Sequence, residues 1–156
     1  VKRIFLWAAL ALLIDQIAKY YILWGVNLPR IGTVEVLPPI LKFRMAWNRG
    51  VNFGLFANDA EVMRWLLAGL AIAIALWLVW WARNLPGQWG QRFAGLVVGG
   101  ALGNAADRIF SGAVVDFLNV SCCGLNNPYA FNFADVAIFI GAFGLVLISN
   151  KLDKNR

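Results

Sequence analysis

Histidine does not occur in this 156-residue chain, and cysteine occurs only as the adjacent pair Cys122 and Cys123. Without histidine there is no Ser-His or Cys-His nucleophile pair, and the commonest zinc ligand is missing. Adjacent cysteines have neither the C-x-x-C spacing nor a second pair, so packing or surface exposure accounts for them better than metal or redox chemistry. Charge is scarce as well. Charged residues make up 14% of the chain, against roughly a quarter of an ordinary soluble domain, which is too few to face water on every side. A net charge of +6 could suit nucleic acid, but the lysines and arginines are scattered and never form a run, so they are read as decoration of loops and helix ends. No nucleic-acid partner, cofactor or metal is expected.

What fills the chain is apolar: 61% of residues are hydrophobic and eight are tryptophan, which puts membrane proteins first. Crossing the hydrocarbon takes about 20 residues of helix, and four stretches supply it, near 4–24, 62–82, 91–110 and 131–149. The first is too long for the apolar run of a signal peptide, carries Asp15 and Lys19, and is followed by no A-x-A pattern, so it is read as a retained span. The second holds no charge between Arg64 and Arg83, and an Asn58-x-x-Glu61 capping pattern marks its start.

Four spans put both termini on one side, with Lys2, Arg3, Lys151, Lys154 and Arg156, and the short connection near Arg83 and Arg92 joins them. The positive-inside rule makes that side cytoplasmic. The long connections, about 25–61 and 111–130, then face outward. In the first, Thr33 to Leu37 alternates, Pro38-Pro39 interrupts, and Phe43, Met45 and Trp47 alternate again, predicting two short strands of a small half-buried sheet on the outer membrane surface. The expected architecture is mainly α: a four-transmembrane-helix bundle with a small extracytoplasmic β-sheet, one domain over residues 1–156, acting as a monomer.

Of the eight acidic residues, Asp15, Asp107, Asp116 and Asp135 carry the argument. An Asp or Lys in mid-membrane costs on the order of 2.5–3.5 kcal/mol, so Asp15, Lys19, Asp107 and Arg108 together would cost about 10 kcal/mol or more if all lay at mid-membrane. A chain this small would not carry that load without pairing or use. Asp15 and Lys19, at i and i+4, share a helix face and can pair. Spans one and three run outward and span four inward, so Asn104, Asp107, Arg108, Asn132 and Asp135 all gather with Asp116 at the outer end. Gly95, Gly99 and Gly103, spaced by four, let a neighbouring helix approach. Asp107 and Arg108 read as a supporting pair. Asp116 and Asp135 have no basic neighbour in sequence and are read as chemistry. Two nearby carboxylates cannot both ionise easily, so one holds a proton while the other activates water, as in aspartic proteolysis. A serine-lysine site using Lys19 with Ser111 or Ser121 ranks lower, because Asp15 would keep Lys19 protonated. The competing class is a small proton-coupled transporter or channel component, which four spans without an internal repeat serve poorly.

Five motifs in order then carry a resemblance: Asp15-Gln16-x-x-Lys19, Asn48-x-Gly50-x-x-Phe53-Gly54, Gly99-Gly100-Ala101-Leu102-Gly103-Asn104-x-x-Asp107-Arg108, Val115-Asp116-Phe117 and Phe131-Asn132-x-Ala134-Asp135. Together, in register with four spans, they resemble the bacterial lipoprotein signal peptidases (signal peptidase II). The resemblance implies an intramembrane aspartic endopeptidase of the cytoplasmic (inner) membrane with its active site toward the extracytoplasmic face. It implies a catalytic pair at Asp116 and Asp135, with Asp15, Lys19, Asn48, Gly50, Asn104, Asp107, Arg108 and Asn132 binding substrate or supporting the pair. The implied substrate is a lipid-modified prolipoprotein, cut just before its diacylglyceryl-bearing cysteine, with membrane lipid as the surroundings. Val51-Asn52 depart from the small residues common in that family, and the vicinal cysteines belong to none of its motifs.

Overall fold

The structure, a computed structural model, describes residues 1–50, 60–85, 87–121 and 127–153. Asn58 of the capping pattern, Val51-Asn52, Phe53-Gly54 and the vicinal cysteines lie outside the described residues.

Four long helices form a bundle: α1 (Lys2–Tyr20, continued by a π-helical turn, Tyr21–Gly25), α3 (Ala60–Ala82), α4 (Gln88–Ser111) and α5 (Phe133–Asp153), with a single short turn α2 (Leu28–Ile31) after the first. Lys2–Gly25 and Glu61–Ala82 are long and apolar enough to cross a membrane, and α5 carries a shorter apolar stretch, Phe133–Ser149. The helices match the four stretches expected from hydropathy to within a few residues. α4 is the least apolar of the four by sequence because it is the central one, packed against α1, α3 and α5. Its glycines make the close approach. A side chain at Gly95 would meet the Ile4 carbonyl oxygen of α1 at 2.6 Å, one at Gly99 would collide with that of Ala8, and one at Gly100 with that of Ala134 on α5. The reverse holds for α5, where Gly141 lies against the Phe93 carbonyl oxygen at 2.5 Å from an added Cβ.

α3 is built differently. Its buried residues are a narrow seam, Ala68, Ala75, Leu78 and Ala82, while Leu66, Leu70, Ile74, Leu76, Trp77 and Trp80 stay exposed. The heptad spacing of the alanines keeps one thin stripe against α4. So large an uncovered apolar surface suits lipid rather than water.

One end of the bundle carries a three-stranded antiparallel sheet, β1 (Thr33–Leu37), β2 (Leu41–Asn48) and β3 (Val114–Val120), in that order. Leu41 pairs with Val120, Ala46 with Asp116 and Asn48 with Val114. The two strands expected from alternation are present. The third was not predicted, because all of β3 but Val120 is buried and its sequence, Val-Val-Asp-Phe-Leu-Asn-Val, does not alternate. A small core under the sheet joins Val115, Phe117 and Leu118 to Ile22 and Leu28, with Phe117 edge-on to both Phe43 and Phe133. This core fixes β3 across the ends of α1 and α5, and β3 carries Asp116 to where α5 begins.

Candidate active site

The candidate residues fall into two linked clusters at the sheet end of the bundle. In the first, the Lys19 ammonium lies 2.6 Å from Asp15 Oδ2 and 2.7 Å from Asp107 Oδ2, with all three side chains at most 5% exposed. The i, i+4 pair is as expected. Asp107 differs: its cation is Lys19 of α1, not Arg108. Consecutive helix residues point about 100° apart, so Asp107 faces α1 while Arg108 turns elsewhere. Gln16 completes this cluster, donating to Asp107 Oδ1 at 2.9 Å and to Asp15 Oδ2 at 3.2 Å. Gly103 makes the room, since a Cβ there would stand 2.8 Å from Asp15 Oδ2.

Both acids of this cluster also bind backbone. Asp15 Oδ1 accepts from the Ala134 amide in the first turn of α5 at 2.8 Å, and Asp107 Oδ2 accepts from the Val115 amide of β3 at 3.0 Å. A helix start leaves its first amides without intrahelical partners, and a carboxylate there satisfies both the donor and the helix dipole. The ion cluster therefore anchors the two elements that carry Asp116 and Asp135.

The second cluster is made of two acids and three asparagines. Asn132 and Asp135 form a reciprocal cap on α5: the Asp135 amide donates to Asn132 Oδ1 at 2.9 Å, and the Asn132 amide donates to Asp135 Oδ2 at 3.2 Å. With its oxygen taken by the cap, the Asn132 side chain must turn its Nδ2 outward, and it donates to Asp116 Oδ1 at 2.7 Å. Asn48 Nδ2 donates to the other oxygen of Asp116 at 3.0 Å. Asn104 Nδ2 donates to Asp135 Oδ1 at 2.9 Å, while its Oδ1 faces Asn132 Nδ2 and, at 3.4 Å, the Lys19 ammonium. Lys19 and Asn132 thus both hold Asn104 with its donor side toward Asp135.

Asp116 is only 3% exposed. Burial pushes its carboxyl up from the ordinary carboxylate range to about 6, the charge of Asp135 adds to this, and the donors Asn48 and Asn132 oppose it. No cation is bonded to either Asp116 or Asp135 among the described residues. A proton can therefore reside on Asp116, and a carboxyl that holds a proton near a second carboxyl group is equipped for acid and base work on one bond. Among the described residues no group of three or more His, Cys, Asp or Glu is gathered to hold a metal.

Beside Asp116 opens a cavity of about 510 Å³ lined by β2 (Ala46, Asn48), Gly50, Leu67 of α3, Arg108, and the segment Pro128 to Ala130. Gly50 has φ +100°, and a side chain there would meet Leu67 Cδ1 at 2.5 Å, so this corner requires glycine. Arg108 spends one donor on the Asn104 carbonyl oxygen at 3.2 Å and leaves its buried Nε without a partner among the described residues.

All ten residues singled out from the sequence meet here. Three others were given no site role from the sequence, although Gln16 stands in one of the five motifs. Arg64, read as the end of a span, reaches from α3 to cap α4, donating to the carbonyl oxygens of Arg108 and Ile109 at 2.6 Å each. Gln16 closes the ion cluster, and Asn119 ties down the cavity wall. The signal available for Gln16 and Asn119 was the same one used for the aspartates: a polar group in an apolar run.

A family model for signal peptidase (SPase) II matches residues 7–151. A lipoprotein signal peptidase of Methylobacterium radiotolerans is 41% identical over 147 residues, covering 94% of this chain and 85% of its own. One from Pseudomonas fluorescens is 39% identical over 152 residues, covering 96% and 88%. A solved bacterial membrane enzyme superposes with a TM-score of 0.81 at 28% identity, over 100% of this chain and 92% of its own.

Proposed function

This chain belongs to the signal peptidase II family and removes signal peptides from prolipoproteins, and from that premise we propose that it does so as an aspartic endopeptidase whose catalytic pair is Asp116 and Asp135. The observation that carries this reading is the Asn132 bridge. One asparagine binds Asp116 through its side chain and Asp135 through its backbone and cap, joining the two acids without a cation.

Asp116, buried and raised to about 6, is suited to hold the shared proton and act as the acid. Asp135 is then the base. It removes a proton from water, the hydroxide attacks the scissile carbonyl, and Asp116 protonates the carbonyl oxygen. Collapse of the tetrahedral intermediate breaks the C–N bond: the proton gained by Asp135 passes to the leaving amine, and one hydroxyl of the intermediate returns its proton to Asp116 as the carbonyl reforms. The bond cut is the one preceding a diacylglyceryl-modified cysteine. Arg108 and Asn48, at the cavity beside Asp116, have donors suited to substrate carbonyls freed when the signal helix unwinds. Asp15, Lys19 and Asp107 hold the elements carrying the pair, and Asn104 and Gly50 shape its surroundings.

In this reading the whole chain is one monomeric integral domain of the bacterial inner membrane, with four spans and both termini cytoplasmic. The sheet lies at the extracytoplasmic surface, the active site faces that side, and membrane lipid surrounds the bundle. The exposed apolar faces of α1, α3 and α5 support this. The proton-coupled transporter alternative is not favoured.

The test is Asp116→Asn and Asp135→Asn in folded, detergent-purified protein, assayed on a diacylglyceryl-modified prolipoprotein. Each should lose about 10³-fold or more of the cleavage rate, and EDTA should leave the parent enzyme unaffected. Full activity in either variant, or loss with EDTA and recovery with a divalent metal, contradicts the pair as the machinery.

A further inference from the structure

The segment Asn127–Phe131 supplies one wall of the cavity beside Asp116, through Pro128, Tyr129 and Ala130. It has no regular structure of its own beyond a bridge from Phe131 to Leu118 of β3. Phe131 accepts from the amides of Phe117 and Leu118 at 3.0 and 2.8 Å and donates back to Leu118 at 2.9 Å. That secures the end nearest α5. The part that lines the cavity is secured by side chains.

Asn119, on β3, is fully buried. Its Nδ2 donates to the carbonyl oxygens of Asn127 at 2.8 Å and Tyr129 at 2.7 Å. Two backbone carbonyls can only accept, so the amide has one possible orientation. Its Oδ1 then faces Ser121, whose hydroxyl donates to it at 3.0 Å and accepts from the Asn127 amide at 3.2 Å. Asn127 in turn caps the segment, its Oδ1 accepting from the Tyr129 amide at 3.0 Å and its Nδ2 donating to the Val120 carbonyl oxygen. Every hydrogen-bonding atom of the Asn119 side chain is engaged, and each engagement ends on the segment or on the serine that also holds it. None reaches Asp116, Asp135 or the asparagines around them.

We propose that Asn119 is a positioning residue for substrate recognition: with Ser121 it straps Asn127–Tyr129 to β3 and so fixes the wall of the cavity that receives the prolipoprotein beside Asp116. This rests on the reading that the cavity is the substrate site. Its physical content is a separation of roles. The Asn132 bridge sets the geometry of the reacting carboxyls, whereas the Asn119 strap sets the width of the site. Loosening the strap weakens substrate binding and leaves the bond-breaking step intact.

Asn119→Asp keeps the shape but turns the donor into an acceptor facing two carbonyls. In purified protein this should raise KM for a lipidated prolipoprotein peptide about tenfold with kcat within about twofold. Ser121→Ala, a milder change, should raise KM about threefold, and Ser121→Thr, which keeps the hydroxyl, should restore it. A folded Asn119→Asp enzyme with unchanged KM, or with kcat reduced at unchanged KM, overturns the proposal. Should that variant fail to fold, an unchanged KM in Ser121→Ala overturns it equally. Activity surviving in Asp116→Asn would instead defeat the aspartate pair while leaving the KM effect of the strap standing, so the two failures are distinguishable.

Discussion

The two acid clusters lie side by side at the sheet end of the bundle, and they are solved in opposite ways. Asp15 and Asp107 share one ammonium, Lys19, at 2.6 and 2.7 Å, and each also binds a backbone amide. Among the described residues, Asp116 and Asp135 are met only by neutral donors, from Asn48, Asn104 and Asn132. A carboxylate locked to a buried cation and a backbone amide is fixed in place, and taking away the cation unmakes the cluster. One held by neutral amides can exchange a proton without breaking an ion pair. In the proposed function the same residue type serves as an anchor in one cluster and as chemistry in the other, and the neighbour decides which.

The largest effects should separate the clusters by what fails. Removing the cation in Lys19→Met leaves two buried acids uncompensated and should cost about 3–5 kcal/mol of stability, read as a large drop in thermal unfolding temperature in detergent. Asp135→Asn should show the reverse, losing turnover while the unfolding temperature stays within a few degrees of the parent. If Lys19→Met were as stable as the parent, the anchoring role would be wrong.

A second, intermediate effect sharpens the contrast through pH. The Asp116 carboxyl is raised from 3.8 to about 6 on folding, so the folded state binds this proton more tightly than the unfolded state does. Its stabilising contribution is complete below pH 3.8 and is lost as pH rises through about 6. The loss is on the order of 3 kcal/mol. Between about pH 4 and pH 7, the parent should therefore lose stability relative to Asp116→Asn, which has no such proton to release. Parallel stability curves for the two proteins would show that Asp116 is not the desolvated group described.

The smallest effect concerns a single donor. Asn48→Ala removes one hydrogen bond from the ionised form of Asp116 and should lower kcat/KM about three- to tenfold. It should also move the descending limb of the pH–rate profile upward, because the lost donor favoured the charged form. A limb that stays in place would sever Asn48 from Asp116 in function.

Much of this was legible in the sequence, and the physical reasons differ by element. The helices were visible because about 20 apolar residues in a row leave few alternatives. β1 and β2 were visible because their residue types alternate along the sequence, although β1 is exposed at every position but Val34. β3 was invisible because nearly all of it is buried, and a run of apolar residues broken by Asp116 and Asn119 has no period to read. The Asp15–Lys19 pair followed from helix geometry, whereas the Lys19–Asp107 pair bridges α1 and α4 and depends on Gly103 leaving space for it. Sequence proximity suggested Arg108 as the partner of Asp107, but adjacent residues on a helix face different neighbours. Asn119 escaped notice for the same reason as β3: its partners, Asn127 and Tyr129, lie eight and ten residues further along the chain, a pairing that no pattern announces.

The most direct test of a cation-free pair sharing one proton is the pH dependence of kcat/KM for the purified enzyme on a lipidated prolipoprotein peptide, measured from about pH 4 to pH 9. A shared proton gives a bell, falling in acid as the second carboxyl is protonated and falling in base as the first proton leaves. The basic limb should descend from about 6, where Asp116 gives up its proton. A rate that climbs steadily through pH 9 would instead make Lys19 the base and would contradict the assignment of the chemistry to Asp116 and Asp135.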